Sequence, residues 1–229
     1  MRDRLADLGF SGTVPVFPLP RTVLFPGVRM PLHIFEPRYQ AMVKDAWAGE
    51  RLIALATLLP GWEKDYEGAP PFHPLATVGR IVEKVELPEG RSNLVLEGLE
   101  RARLDEEYTD RPYRLARAQV VADLPVPAGD AETAELKERL LLTYAYLVHL
   151  LRHPEEPVAF DDTTTSLESV VHVICQNLDV PVFQKLRALE AGGPLERAPM
   201  ARGWLAERLD LALVERGLPR LLPGPGEDN

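Results

Sequence analysis

Proline dominates the stretch from Val14 to Tyr39, which reads VPVFPLPRTVLFPGVRMPLHIFEPRY. Each proline fixes its own φ angle, lacks a backbone N–H, and pushes the residue before it toward an extended conformation. Neither a helix nor a long central strand can run through this stretch. Because it is too apolar for a solvated linker, we predict a rigid, buried weave of short extended pieces within a β-rich domain. The residues predicted to be buried are Val16, Phe17, Leu19, Val23, Leu24, Phe25, Leu32, Ile34 and Phe35.

Short strand and turn signals continue as far as residue 124. Glu36-Pro37 is typical of a helix start and Gly49 of its end. The apolar run at 52–59 indicates a buried strand, and 60–74 has the composition of a loop. Further strands are predicted at 75–87, 93–99, 102–104 and 113–124. Gly98 predicts a bulge or a barrel corner. About six or seven short strands with one helix fit a small barrel or pseudobarrel.

The hydrophobic period changes from two to 3.6 after the segment PVPAG at 125–129. Four helices are predicted beyond it, at 130–151, 166–177, 179–190 and 195–216. We therefore predict an α+β fold in two parts, a β-rich pseudobarrel with one helix at 13–124 and an α-helical bundle at 130–218. Residues 219–229, which contain PGPGEDN, are predicted to be a disordered tail.

Three ordered blocks resemble the Lon substrate-binding domain, the amino-terminal domain of the ATP-dependent protease Lon. The first contains VFPLPRTVLFPG and PLHIFEPRY. The second contains VGRIVE at 78–83 and LPEGR at 87–91, and the third is VLEGLERARL at 95–104. The resemblance covers residues 14–104 and implies a PUA-like pseudobarrel in a bacterial-type protein. It also implies recognition of polypeptide substrates.

Positions that match the family's motifs are expected to be structural. Glu36, Arg38, Arg101 and Arg103 are charges in apolar surroundings, and buried charges are costly unless they are paired. We predict that they pin the start of the helix to the sheet by charge-assisted hydrogen bonds, so that Arg101→Ala reduces stability. The structural motif residues are Phe25, Pro26, Gly27, Phe35, Glu36, Pro37, Arg38, Tyr39, Gly98 and Arg101.

The 229 residues lack both the phosphate loop of an ATPase and the nucleophile elbow of a serine hydrolase. No Gly-Lys pair is present for a G-x-x-x-x-G-K-[ST] phosphate loop, and there is no G-x-S-x-G nucleophile elbow. The resemblance therefore implies a free-standing, non-catalytic recognition module rather than an enzyme. Its expected partners are unfolded or tagged polypeptides, with a separate protease or chaperone.

Composition narrows the class of partner further. The net charge of −9 disfavours nucleic acid and favours neutral to basic polypeptide segments. One cysteine excludes an internal disulfide framework and is typical of a reducing compartment. No apolar run approaches the ~20 residues that span a bilayer. We expect a soluble, cytoplasmic protein that binds neither nucleic acid nor a membrane.

Two pairs of side chains at helical spacing raise the possibility of chemistry. His149 and His153 have the i, i+4 spacing of a zinc pair, but no H-E-x-x-H motif is present. His172 and Cys175 suggest a thiol nucleophile, but they lie among aliphatic residues. A structural role is the favoured interpretation of both pairs. We predict no metal, no cofactor and no catalytic residue.

The candidate peptide-binding residues are Trp62, Tyr66 and Phe72, in the loop at 60–74. Loop aromatics either fold back onto the core or form an exposed edge, and exposed aromatics commonly anchor a bound peptide. We predict that this edge binds polypeptide. One alternative is a small-molecule or degron-sensing adaptor, since the Lon-type fold occurs in a ubiquitin-ligase substrate receptor. The other is RNA binding, by analogy with PUA domains.

Overall fold

The computed structural model describes residues 5–66, 68–107, 110–151 and 166–219. The chain divides into two compact units, residues 1–122 and 123–229. The described part of the first unit contains six strands and one α-helix, and that of the second contains four α-helices. The α+β class predicted from the sequence is confirmed.

The helices and the strands β3 and β4 begin and end close to the predicted positions. The strands are β1 (Thr13–Leu19), β2 (Arg29–Ile34), β3 (Leu52–Thr57), β4 (Leu75–Glu86), β5 (Ser92–Glu107) and β6 (Arg114–Val120). The helices are α1 (Pro37–Ala48), α2 (Ala131–Leu151), α3 (Leu167–Asn177), α4 (Val182–Glu190) and α5 (Pro194–Glu215). The predicted tail lies outside the described residues from 220 onward. None of the described helices has the length and apolar character needed to cross a membrane.

Strand β5 closes the sheet into a barrel. The strand order is β2-β5-β4-β3-β1-β6, and β5 also pairs with β6. The strands β5, β4, β3, β1 and β6 therefore form a closed ring, and β2 pairs with β5 outside it. Because β5 has 16 residues, its first part pairs with β2 and its last part with β6. The sequence-based division of β5 into strands at 93–99 and 102–104 is therefore wrong.

The error arises from a bulge in β5. Val78 lies opposite Glu100, whereas the next residue of β4, Gly79, lies opposite Gly98. Leu99 is thus an extra residue, which interrupts the alternation of side chains that marks a single strand. The bulge predicted at Gly98 is present at this position.

Gly98 also allows the proline-rich stretch to approach β5. Its carbonyl oxygen accepts a 2.8 Å hydrogen bond from the Gly27 N–H, and its own N–H donates to the Val28 carbonyl at 2.9 Å. A Cβ atom at position 98 would lie 2.4 Å from the Phe25 carbonyl oxygen. Only glycine permits this contact, so the motif glycine joins the Phe25-Pro26-Gly27 turn to the barrel.

Most of the apolar residues of the proline-rich stretch are buried. They join two clusters, one of which includes Val16, while the other includes Phe17, Leu24 and Ile34. Phe35 is a correction, since 58% of it is exposed. Ile34 takes the inward position, and successive side chains of an extended chain point to opposite sides.

Of the four charges predicted to lie in apolar surroundings, one is buried, one is exposed and two are half-buried. Arg101 is 2% exposed, in agreement with the prediction of burial. Arg103 is exposed, because its neighbours Ala102 and Leu104 take the inward positions of β5. Glu36 and Arg38 contact a loop, and these contacts are described with the candidate site.

Helices α2, α3 and α5 pack on one another in the second unit, and α4 packs on α3 and α5. Arg197 of α5 is fully buried among them. Its guanidinium forms a bidentate ion pair with Asp123, with one hydrogen bond of 2.8 Å, and donates to the Ala188 and Ala191 carbonyls at 2.8 and 3.0 Å. The His172 ring nitrogen Nε2 lies 3.0 Å from the same guanidinium. This network joins residue 123 to three helices.

Candidate functional site

A cavity of about 120 Å³ lies in the first unit, where four segments of the chain meet. The segments are the end of β1, the start of α1, the loop between β3 and β4, and the residues that lead into β6. Three tyrosines contribute to its wall, and we call it the tyrosine cavity. Its lining residues are Pro18, Arg38, Tyr39, Leu58, Tyr66, Gly68, Pro70, Pro112, Tyr113 and Arg114.

Glu36 and Arg38 fasten the β3–β4 loop to the start of α1. The Tyr66 hydroxyl donates a 2.6 Å hydrogen bond to Glu36 Oε1, and Arg38 Nε donates to Glu36 Oε2 at 3.0 Å. Arg38 also donates to the Tyr66 carbonyl at 3.3 Å. Glu36 and Arg38 were predicted to bind the sheet, but they bind Tyr66 of the loop instead. Glu36 reaches Tyr66 because it lies at the N-cap of α1. Burial, followed by the hydrogen bond to Glu36, raises the pKa of Tyr66.

Arg114 holds the opposite side of the same loop. Its guanidinium makes two 2.5 Å hydrogen bonds to the carboxylate of Glu106 and donates to the Pro70 carbonyl at 2.6 Å. The guanidinium carbon also lies 4.3 Å above the centre of the Phe72 ring, a cation–π contact. The two arginines of the cavity are therefore each paired with a carboxylate of this unit.

Tyr39 is the tyrosine whose hydroxyl remains available to a bound group. Its ring packs edge-on against Phe17, with ring centres 4.6 Å apart, and the Arg38 guanidinium lies 4.7 Å above it. Its hydroxyl forms no hydrogen bond to a described residue, and the side chain lines the cavity. Burial raises the pKa of Tyr39 to about 12, so the phenol stays protonated at neutral pH.

Tyr113 is positioned by α1. Its hydroxyl donates a 2.6 Å hydrogen bond to Asp45 Oδ2, which also accepts from Arg111 at 2.7 Å. Burial and the hydrogen bond to Asp45 raise the pKa of Tyr113. The phenols of Tyr39, Tyr66 and Tyr113 therefore all stay protonated at neutral pH.

The three aromatic residues predicted to bind peptide do not form a single exposed edge. Tyr66 lines the cavity, and the Trp62 ring meets it edge-on with ring centres 5.5 Å apart. Phe72 instead packs against the barrel core beneath Arg114. All three side chains are half-buried.

Sequence reasoning assigned Tyr39 a structural role and did not identify Tyr113 or Arg114. The latter two begin the strand predicted at 113–124, and a strand start carries no signal of its own for binding. The one available signal is Pro112-Tyr113, since a proline before an aromatic marks a fixed corner beside an apolar surface. The cavity itself depends on segments far apart in the sequence, which no local pattern brings together.

The side chains of the cavity can hold and orient a ligand. Protonated phenols donate hydrogen bonds, and the two paired guanidiniums contribute flat faces to the wall. Elsewhere, Cys175 is fully buried, and burial raises its pKa to about 12, which disfavours a reactive thiolate. Within the described ranges, no group of three or more His, Cys, Asp or Glu side chains could hold a metal ion. His149 is exposed, and its predicted zinc partner His153 lies outside those ranges.

Solved structures with a similar fold are amino-terminal domains of Lon proteases. The amino-terminal domain of the Mycobacterium avium complex Lon protease matches with a TM-score of 0.61 at 16% identity, and covers 85% of this chain and 98% of its own. The Lon N-terminal domain protein from Xanthomonas campestris matches with a TM-score of 0.57 at 21% identity, and covers 84% of this chain and 98% of its own. At these identities the likeness shows the fold.

Sequence comparison identifies relatives and a family. The Lon protease of Anaeromyxobacter dehalogenans and Lon protease 2 of Myxococcus xanthus are each 32% identical over 183 residues, which is 77% of this chain and 21% of theirs. The chain thus spans about a fifth of the length of these relatives. The model of the substrate-binding domain of ATP-dependent protease La (LON) matches residues 13–207. The chain belongs to the family of LON substrate-binding domains.

Proposed function

We propose that this chain is a non-catalytic module that binds unfolded or extended polypeptides at the tyrosine cavity. In this proposal the cavity takes one side chain of the polypeptide, and the Tyr39 hydroxyl donates a hydrogen bond to an adjacent backbone carbonyl. The observation that carries the proposal is the position of Tyr39, which lines a cavity in a domain of a substrate-binding family and whose hydroxyl forms no hydrogen bond to a described residue.

The size of the cavity favours a side chain over a separate small molecule. Pockets for drug-sized ligands have volumes of about 300–1,000 Å³, whereas this cavity has about 120 Å³. A cavity of this size suits part of a larger ligand whose remainder lies outside it. The half-buried Trp62, which packs on Tyr66, offers a surface for that remainder.

The chemistry of the wall favours a sequence-tolerant mode of recognition. Prolines, Leu58 and aromatic rings form apolar contacts with any apolar side chain, and a backbone carbonyl is common to all polypeptides. The arginines are already paired with Glu36 and Glu106, so a phosphate would have to compete with these carboxylates. This pairing supports polypeptide over RNA, whose binding depends on free cationic side chains.

Membership of the family supports a proposal for the wider role of the module. We propose that it holds polypeptides for a protease or a chaperone and performs no ATP hydrolysis or peptide cleavage itself. The catalytic motifs that are missing from its 229 residues support this proposal.

Fluorescence anisotropy tests the proposal. A labelled, permanently unfolded polypeptide and the same polypeptide in its folded form are each titrated with the full chain. We expect saturable binding of the unfolded form alone. Tyr39→Phe removes one hydroxyl and keeps the ring, so it should weaken binding by about fivefold to tenfold, the loss of one hydrogen bond of about 1–1.5 kcal/mol.

A matched control tests whether the loss of affinity is specific to the tyrosine of the cavity. Tyr146→Phe removes a hydroxyl from an exposed tyrosine of α2 and should leave binding unchanged. Replacement of Trp62, Tyr66 and Phe72 together is a less direct test, because Phe72 packs on the core and Tyr66 bonds to Glu36. Equal affinity of the wild type and the Tyr39→Phe variant would contradict a role for the cavity.

A further inference from the structure

An apolar groove in the second unit lies between α2 and α5, and no sequence motif pointed to it. It has a volume of about 170 Å³. Its floor is aliphatic, with Leu140, Leu205 and Leu209 buried, and two arginines border it. We call it the arginine-rimmed groove. Its lining residues are Leu136, Arg139, Leu140, Thr143, Arg202, Leu205, Ala206 and Leu209.

The groove has the dimensions of two helical turns. Its lining runs from Leu136 to Thr143 on α2 and from Arg202 to Leu209 on α5. Seven residue steps of an α-helix rise about 10 Å, close to two turns. An amphipathic helix presents apolar side chains at i, i+3 or i+4, and i+7 over this distance, which is the pattern that helix-in-groove recognition uses.

The charges at the rim are cationic and poorly neutralised. Arg139 lies 3.8 Å from Glu135, with both side chains about 70% exposed, so water screens this pair strongly. Arg202 is exposed and forms no ion pair with any residue in the described ranges. None of the lining residues is acidic. A chain with a net charge of −9 thus places two available cations beside its apolar groove.

We propose that the arginine-rimmed groove binds an acidic amphipathic helix of a partner protein. The apolar side chains of that helix lie on Leu140, Leu205 and Leu209, and its carboxylates approach Arg139 and Arg202. Charge complementarity selects this occupant, because a basic helix would meet both arginines with like charge. The inference goes beyond the proposed function, since it concerns a different cavity and does not depend on the tyrosine cavity.

The test uses labelled, end-blocked helical peptides of about 18 residues, long enough to populate a helix on a bound surface. The acidic peptide carries leucines at helical spacing, flanked by glutamates. A second peptide has lysine in place of each glutamate, and a third is the acidic peptide with a central proline. Anisotropy with the full chain should show binding of the acidic peptide, and at least about tenfold weaker binding of the other two.

Variants of the groove locate the binding. Arg139→Glu with Arg202→Glu should weaken binding of the acidic peptide by about tenfold or more and improve binding of the lysine peptide. Arg187→Glu, at an exposed arginine of α4 outside the groove, is the matched charge control and should change affinity by less than about twofold. Ala206→Trp should block the groove without altering charge, whereas Leu142→Trp, at an exposed position of α2, should not.

Each other outcome overturns the proposal. Absence of binding would exclude an acidic helix as the occupant, and equal binding of the lysine peptide would exclude selection by charge. Binding that survives both Ala206→Trp and the double arginine variant would place the peptide elsewhere. Self-association of the chain that only the groove variants abolish would identify a second copy as the occupant.

Discussion

Both units contain a cavity bordered by two arginines, but the arginines are in opposite electrostatic states. In the tyrosine cavity, Arg38 is paired with Glu36 and Arg114 with Glu106. In the arginine-rimmed groove, Arg139 has one screened partner and Arg202 has none among the described residues. The first pair of arginines is therefore committed to holding the β3–β4 loop in place. The second pair is available to a ligand.

The difference indicates how each cavity would select its ligand. A wall whose charges are already neutralised distinguishes ligands by shape and by hydrogen bonds to protonated phenols. An apolar floor with free cations at its rim distinguishes them by charge. Under the two proposals, the tyrosine cavity would accept a broad range of extended polypeptides, and the arginine-rimmed groove would accept a narrow class of acidic helices.

The largest expected effect concerns the arginines of α5. Arg197 is fully buried and bonded to Asp123, whereas Arg202 is exposed five residues further along. Arg197→Ala should destabilise the second unit by about 3–5 kcal/mol, because the Asp123 carboxylate loses its buried partner. Arg202→Ala should change stability by no more than about 0.5 kcal/mol.

Thermal unfolding followed by circular dichroism measures both α5 variants. Equal melting temperatures of the two variants would contradict the distinction between a buried structural arginine and an available one. If a fully folded Arg202→Ala variant no longer bound the acidic peptide, this distinction would be supported.

Two glycines provide a second comparison between the units. Alanine at Gly98 would bring its Cβ to 2.4 Å from the Phe25 carbonyl oxygen, whereas no atom lies within 4 Å of a Cβ at Gly203 in α5. Gly98→Ala should therefore destabilise the barrel by about 1–3 kcal/mol. Gly203→Ala should stabilise by up to about 1 kcal/mol, since alanine is the better helix former. Urea unfolding measures both, and a Gly98→Ala variant as stable as the wild type would show that this contact can relax.

The hydrogen bond between Tyr66 and Glu36 predicts a smaller effect on the free energy of unfolding. Tyr66→Phe removes the hydrogen bond to Glu36 and should cost about 1 kcal/mol. Hydrogen exchange in the described part of the β3–β4 loop should become faster, with little change in α2 or α5. Exchange that is unchanged in this loop would mean that Glu36 and Arg38 do not hold it in place.

The smallest expected effect on stability comes from the Tyr39 phenol and appears only at high pH. Burial raises the pKa of Tyr39 to about 12 from an ordinary value of 10. The folded state therefore favours the protonated phenol, and this contribution to stability is present below pH 10 and lost as the pH rises toward about 12. Absorbance titration of tyrosinate should show a component with a pKa of about 12 in the wild type that Tyr39→Phe lacks. A wild-type titration without this component would contradict burial of the Tyr39 phenol.

The sequence predicted the fold well because its strongest signals are local. Proline and glycine fix the corners near Pro26, Pro37 and Gly98, and a change of period separates strands from helices. The errors occur where one local rule overrides another. The bulge at Leu99 hides the continuity of β5, and the alternation of the extended chain exposes Phe35 next to the buried Ile34.

The sequence predicted much less of the two cavities. Tyr66 lies at the predicted loop site, but Tyr39 and Tyr113 reach it from a helix start and a strand start. The arginine-rimmed groove depends on the spacing between two helical segments, at 136–143 and 202–209, that are far apart in the chain, and on which arginines are poorly neutralised. Periodicity reports which face of a helix is apolar, but it does not report which part of that face stays uncovered.

Hydrogen exchange of the full chain, with and without a saturating, permanently unfolded polypeptide, would locate the polypeptide-binding site. We expect slower exchange at the start of α1, in the described part of the β3–β4 loop and at residues 112–114, with α2 and α5 unchanged. Protection confined to other segments, or no protection in the presence of demonstrated binding, would contradict the assignment of the tyrosine cavity as the polypeptide-binding site.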